Sequence, residues 1–223
     1  MVNTTDRLAC KQGRNDEMPN IELAEYLCQH NDKAGIKEII DGFKGNDKAV
    51  ANDCIKVLYE IGERKPELVC EYANDFISCL HSKNNRLAWG SMTALAAITE
   101  YAPEPIFEKL HLIQSAYENG SVITVDNSIS VFAKLCKAND RYAEKALPII
   151  INHLDKCRPK DVAQHAERAS SCFNSENANA FIEVLEKRAS CLTPPQQIRV
   201  RRLLKRLQTH GDGSLVLGAV ETT

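Results

Sequence analysis

Aromatic residues make up only 6% of this 223-residue chain, and Trp89 is its sole tryptophan. A broad surface for stacking nucleic-acid bases is therefore not to be expected. No run approaches the ~20 consecutive apolar residues of a membrane-spanning helix. The opening stretch MVNTTDRLACKQGRNDE has no apolar core and does not read as a signal peptide. P-loop, GxGxxG, HExxH, nucleophile-elbow and calcium-loop patterns are all missing. No catalytic, cofactor-binding or metal-ligating residue is nominated, no cofactor is expected, and the chain does not read as an enzyme. The nine cysteines are odd in number and include no CxxC, which speaks against a secreted disulfide framework. A reducing, cytoplasmic setting follows. Most of the thiols read as small hydrophobes in helices, whereas Cys10, Cys157 and Cys191 fall in tails or loops and are expected to be exposed.

What the chain does have is a period. The stretch Ala51–Ile61 recurs three times at a step of 37 residues. That step carries Ala51 to Ala88, Val125 and Val162, and Ile55 to Met92, Ile129 and Ala166. It also carries Leu58 to Leu95, Phe132 and Ala169, and Ile61 to Ile98, Leu135 and Cys172. All sixteen positions are apolar in a chain that is 43% hydrophobic. Within each unit the spacing of 4, 3 and 4 residues is one stripe of an α-helix. A second set of rows keeps the same step: Val69, Ile106, Ala143; Phe76, Ile113, Ile150; Leu80, Tyr117, Leu154.

Each unit therefore contains two helices. The first of each pair is expected over roughly 47–63, 85–101, 121–137 and 159–173, with Asp47 and Ser121 as caps and Pro159 in a first turn. The second is expected over roughly 66–82, 104–118, 141–156 and 176–190. An atypical pair precedes them, IELAEYLCQH with Asn20 as N-cap, then KAGIKEIIDGFKG. A last helix starts at T-P-P-Q, a capping box with proline at its first position, and packs through Ile198, Leu203, Leu204 and Leu207. One helical pair cannot bury its stripe alone, so the units must stack. With no Pro/Gly/Ser-rich linker, one continuous array is expected over 20–209, between a flexible arm (1–19) and a flexible tail (210–223).

Units such as NDKAVANDCIKVLYEIGERKP and NNRLAWGSMTALAAITEYAP resemble HEAT repeats of the armadillo-like helical-repeat superfamily. The resemblance implies an all-α, right-handed α-α superhelix of about five helix pairs plus a C-terminal capping helix. It also implies that the second helices line the concave face, and that the protein is a non-enzymatic scaffold for a protein or peptide. Two departures stand out: the proline common within the first helix of a HEAT unit is missing, and Pro148 interrupts a second helix.

Charge is unevenly distributed. Residues 21–118 hold 10 Lys+Arg and 16 Asp+Glu, whereas 119–209 hold 15 and 9. Opposite the apolar stripe of the second helices lie Glu67, Glu71, Asp75, Glu104 and Glu108, with Glu38 and Asp41 extending the row and Arg141 and Lys145 at the matching later positions. Such a row attracts a basic partner. Trp89, Asp126 and Asn127 complete the candidate partner-binding set; in armadillo proteins an Asn on this helix edge hydrogen-bonds peptide backbone, and the resemblance suggests the same here. Trp89 precedes Gly90, a pairing that can open a pocket, although an aromatic filling space between helices is the plainer reading. His165, in the row of Cys54, Ser91 and Ser128, is expected at the margin of the core as a packed, hydrogen-bonded histidine. The alternative function is nucleic-acid binding in the manner of HEAT-like DNA glycosylases, with Arg199, Arg201, Arg202, Lys205 and Arg206 of the last helix on phosphate.

Overall fold

A computed structural model describes residues 3–174 and 177–212. Every regular element among them is helical. The chain divides into two compact units, Met1–Val131 and Phe132–Thr223, and the boundary falls inside a helix.

In the first unit a 3-10 turn at Thr4–Arg7 leads to α1 (Met18–His30), α2 (Lys33–Phe43) and α3 (Lys48–Arg64). After two further 3-10 turns, Pro66–Leu68 and Cys70–Tyr72, come α4 (Ala73–Ser78), α5 (Asn85–Ile98), α6 (Pro103–Glu108) and α7 (Leu110–Asn119). Helix α8 (Val122–Ala138) crosses the boundary. The second unit continues with α9 (Asp140–Lys156), α10 (Pro159–Ala169), α11 (Ala178–Arg188) and α12 (Pro194–Asp212).

The period survives in three dimensions. Of its sixteen apolar positions, all but Ala88 and Val125 are buried, and those two are half-buried. Helix α3 packs on α1, α2 and α5, so its stripe is covered from three sides. Asp47 caps α3 as expected, accepting from the Ala49 and Val50 amides at 3.0 and 3.2 Å. Ser121 accepts the Thr124 amide at 3.3 Å at the start of α8. At α12 the Gln196 side chain reaches back to the Thr193 amide at 2.9 Å, one half of the expected capping box.

Several expectations are corrected. The second helix of the 66–82 unit is broken into 3-10 turns and the short α4; the Val69 and Tyr72 amides donate to carbonyls three residues back, at 3.1 Å each. That of 104–118 is divided at Lys109, whose backbone leaves the helical region at φ −107°, ψ 21°. Helix α1 starts at Met18, not after Asn20; the Asn20 side chain is buried and accepts the Ala9 amide at 3.0 Å instead of capping. On α12 it is Val200 and Leu203 that are buried, while Ile198 is 49% exposed. Positions 200, 203, 204 and 207 form a tighter helical stripe than one that includes 198.

The expected arm at 1–19 also fails as an arm, since its described part is packed on the first unit. Leu8 and Ala9 are buried, and the Thr4 and Cys10 amides donate to Glu38 (2.7 Å) and Asp53 (2.8 Å). Glu17 pairs with Lys56 at 3.1 Å and with Arg86. Most of the tail expected at 210–223 lies outside the described residues.

Gly90 opens no pocket. It marks the close approach of α5 to α3, where a Cβ would sit 2.7 Å from Cγ1 of Ile55. Leucine normally favours a helix over glycine by roughly 1 kcal/mol, yet Gly90→Leu is expected to destabilise by about 1–3 kcal/mol because the helices must separate. Urea denaturation provides the check; a stabilised variant would show that the two helices have room.

Candidate functional site

The acidic row lies on the second-helix elements of the first unit. Glu67 and Glu71 sit on the 3-10 turns and Glu104 and Glu108 on α6, and all four are exposed. Helix α6 packs on α4, the short helix that directly follows the two 3-10 turns. Burial first, then Glu71, Asp41 and Asp75, raise the pKa of the Tyr72 phenol against an opposing Lys37.

Basic residues already answer part of the row. Asp75 is half-buried and takes Lys44 at 2.6 Å, a contact that holds the Lys44 ammonium pKa above its ordinary value. Asp41 is paired with Lys37 one helical turn earlier. Glu38 accepts the Thr4 amide. The carboxylates presented outward are thus chiefly Glu67, Glu71, Glu104 and Glu108.

The other three nominated residues belong to the first-helix side. Trp89, on α5, is half-buried with its ring 5.9 Å from that of Tyr59 on α3 and 5.7 Å from the Arg86 guanidinium. It fills space between helices. Asn127, on α8, donates to Thr93 Oγ1 at 2.8 Å, and that hydroxyl donates to the Trp89 carbonyl at 2.9 Å. Asn127 is thereby engaged within the unit. Asp126 beside it is half-buried.

Sequence reasoning missed the ion network centred on Lys56. This lysine is 7% exposed and is held by Glu60 at 2.7 Å and Glu17 at 3.1 Å, with its ammonium 4.8 Å from the Tyr59 ring centre. Burial alone would lift the Glu60 carboxyl, but hydrogen bonds from Lys56 and Arg64 outweigh it and hold the pKa below the ordinary value. The signal was faint because Glu17 contributes from a segment with no helical periodicity.

In the second unit, Arg141 and Lys145 are exposed where the row turns basic. An open groove of about 660 Å³ lies between α9 and α11, with Leu147, Pro148, Ile151, Phe173 and Val184 on its walls. Lys187, the residue that breaks the repeat pattern, pairs there with Asp155 at 2.6 Å. On α12, Arg199 is taken by Glu167 in a two-point contact of 2.9 and 2.5 Å, while Arg201 and Arg202 are exposed.

The row of Cys54, Ser91, Ser128 and His165 is buried core rather than margin; His165 is 2% exposed. Its Nδ1 lies 2.7 Å from Nε2 of His153. Of the thiols expected to be exposed, only Cys191 is. Cys10 and Cys157 are half-buried, and both are pushed up to about 11; burial is the larger cause, with Asp53 adding to it at Cys10.

Helix pairs of this kind form an armadillo/HEAT-like helical-repeat fold. No protein-family model matches the chain, and no curated protein matches it in sequence. Among solved structures it is similar to a designed armadillo repeat protein, YIII(Dq.V1)4CPAF, in complex with the peptide (KR)4. The TM-score is 0.65 at 14% identity, covering 83% of this chain and 86% of that one. It is also similar to an engineered protein, with a TM-score of 0.61 at 15% identity, covering 93% of this chain and 58% of that one. No described helix is long and apolar enough to cross a membrane.

Proposed function

We propose that this chain is a non-enzymatic scaffold that holds a basic peptide segment on the second-helix side of its first unit. The observation that carries this reading is the set of exposed carboxylates, Glu67 and Glu71 on the turns that lead into α4 and Glu104 and Glu108 on α6, which packs on α4. Asp75, answered by Lys44, and Trp89, Asp126 and Asn127, on the first-helix side, stand outside this proposed surface. Carboxylates on a rigid support steer and orient Lys and Arg side chains at little entropic cost. The similar designed repeat protein is in complex with a peptide of alternating Lys and Arg, which supports the reading by analogy of fold. A cytoplasmic setting suits nine free thiols.

Fluorescence anisotropy with labelled (KR)4 peptide tests the proposal. The wild-type chain should bind at low salt and weaken as salt rises through the physiological range. The double variant Glu71→Lys/Glu108→Lys should lose about 5–30-fold in affinity, as expected from reversing two exposed charges. Equal binding by both proteins would remove the acidic row from the account. Nucleic-acid contact through α12 is the weaker reading, because Arg199 is already committed to Glu167. A duplex DNA gel shift at low ionic strength would revive it.

A further inference from the structure

The second unit brings two imidazoles and a thiol together. His153 and Cys157 lie four residues apart near the end of α9, which places them on one face of the helix. His165 comes from α10, which packs on α9. One ligand atom from each, a ring nitrogen or Sγ, lies within 4.8 Å of the others. Both histidines are buried, and Cys157 is half-buried, so the cluster is sheltered but reachable.

We propose that His153, Cys157 and His165 form a zinc(II) site that clasps α9 to α10. Two imidazoles and a thiolate are a donor set that suits this ion. Bonds of about 2.0–2.1 Å to nitrogen and about 2.3 Å to sulfur put tetrahedral ligand atoms roughly 3.3–3.6 Å apart. The His153–His165 pair, now hydrogen-bonded at 2.7 Å, has to open by a fraction of an ångström. The Cys157 Sγ in turn has to move toward the imidazoles, since the three ligand atoms are spread over up to 4.8 Å. The thiol loses its proton to solvent as the Zn–S bond forms. The imidazole that donates the present hydrogen bond moves its proton to its other ring nitrogen, so that both facing lone pairs bind metal. A fourth position is left for water or another ligand.

The backbone around the site is held firmly. The Cys157 amide donates to the His153 carbonyl at 2.8 Å, closing the last turn of α9. Arg188, from α11, donates to the carbonyls of Leu154 (3.0 Å), Asp155 (2.5 Å) and Cys157 (2.7 Å). A helix end tied in this way cannot fray, and the thiol stays in reach of the imidazoles. The arrangement was hidden in the sequence because H-x3-C and the later histidine match no common zinc spacing. His165 reads alone as a core residue.

The full chain, stripped of metal and kept reduced with a non-thiol reductant, should take up zinc in competition with a chromophoric chelator at one ion per chain. Cobalt(II) should give the visible bands of a four-coordinate ion and a thiolate-to-cobalt charge-transfer band. Cys157→Ser should abolish that band. Cys157→Ser and His165→Gln should each weaken zinc at least as much as the roughly 10–100-fold caused by losing an outer-shell partner. Cys191→Ser, which alters the exposed thiol near Arg188, should bind like wild type. Failure of the wild-type chain to compete for zinc would overturn the site. So would a cobalt spectrum without thiolate character, or binding unchanged in Cys157→Ser. Zinc-induced thermal stabilisation of the wild-type chain gives a readout that holds even if His165→Gln folds poorly.

Discussion

Leu95→Ala is expected to destabilise the first unit by roughly 2–5 kcal/mol, the range measured when a buried leucine is truncated and its surroundings relax only in part. Leu95 is fully buried in α5, in the same repeat row as the fully buried Leu58. Helix α5 is gripped by α3 on one side and α4 on another, and the close approach at Gly90 leaves little freedom to collapse onto a void. The loss should appear in chemical denaturation as a lower midpoint with an unchanged slope. A loss under about 1 kcal/mol would mean that the row does not form the centre of the unit.

Deleting residues 1–17 is expected to be at least as damaging. Leu8 is buried without residual exposure, so its removal alone carries the same roughly 2–5 kcal/mol scale. The deletion also strips the Asn20 carbonyl oxygen and the Asp53 carboxylate of their amide donors, and leaves buried Lys56 without Glu17. Burial would raise the Glu17 carboxyl, but Arg86 and Lys56 outweigh it and hold the pKa below the ordinary value. A depressed carboxylate contributes stability that is present at neutral pH and lost as the pH falls through its folded-state value. Because Glu17 is 43% exposed, that share is modest and the apolar contacts dominate. Thermal melts of the truncated and full chains at neutral and acid pH measure both parts. A truncated chain as stable as the full one would show that the segment merely rests on the surface.

Much of the fold was legible because a helix repeats its environment. When Ile55, Met92, Ile129 and Ala166 recur at one spacing, a single stripe argument covers four helices, and all four residues are buried. The same argument was weakest where burial depends on partners distant in sequence. Leu8 lies in a polar, aperiodic stretch; it is buried, and the neighbouring Ala9 and Cys10 amides are bonded to Asn20 and Asp53 further along the chain. Ile198 and Val200 are both apolar, and the choice between them rests on the rotation of α12 against α10 and α11. The acidic residues were visible as a pattern, but Lys37 and Lys44, which neutralise Asp41 and Asp75, belong to α2 and the residue that follows it.

By itself, then, the sequence determined an all-α repeat, its 37-residue step, its central apolar rows and the sign of charge along its second helices. These are local properties, set by spacing and side-chain chemistry within one helical pair. Tertiary structure decided which carboxylates remain presented outward, that Leu8 and Ala9 belong to the core, and that His153, Cys157 and His165 meet. Apart from pairs within one helix turn, such as Lys37 with Asp41, these depend on the distance between side chains on different elements, and a helix period carries no information about that distance.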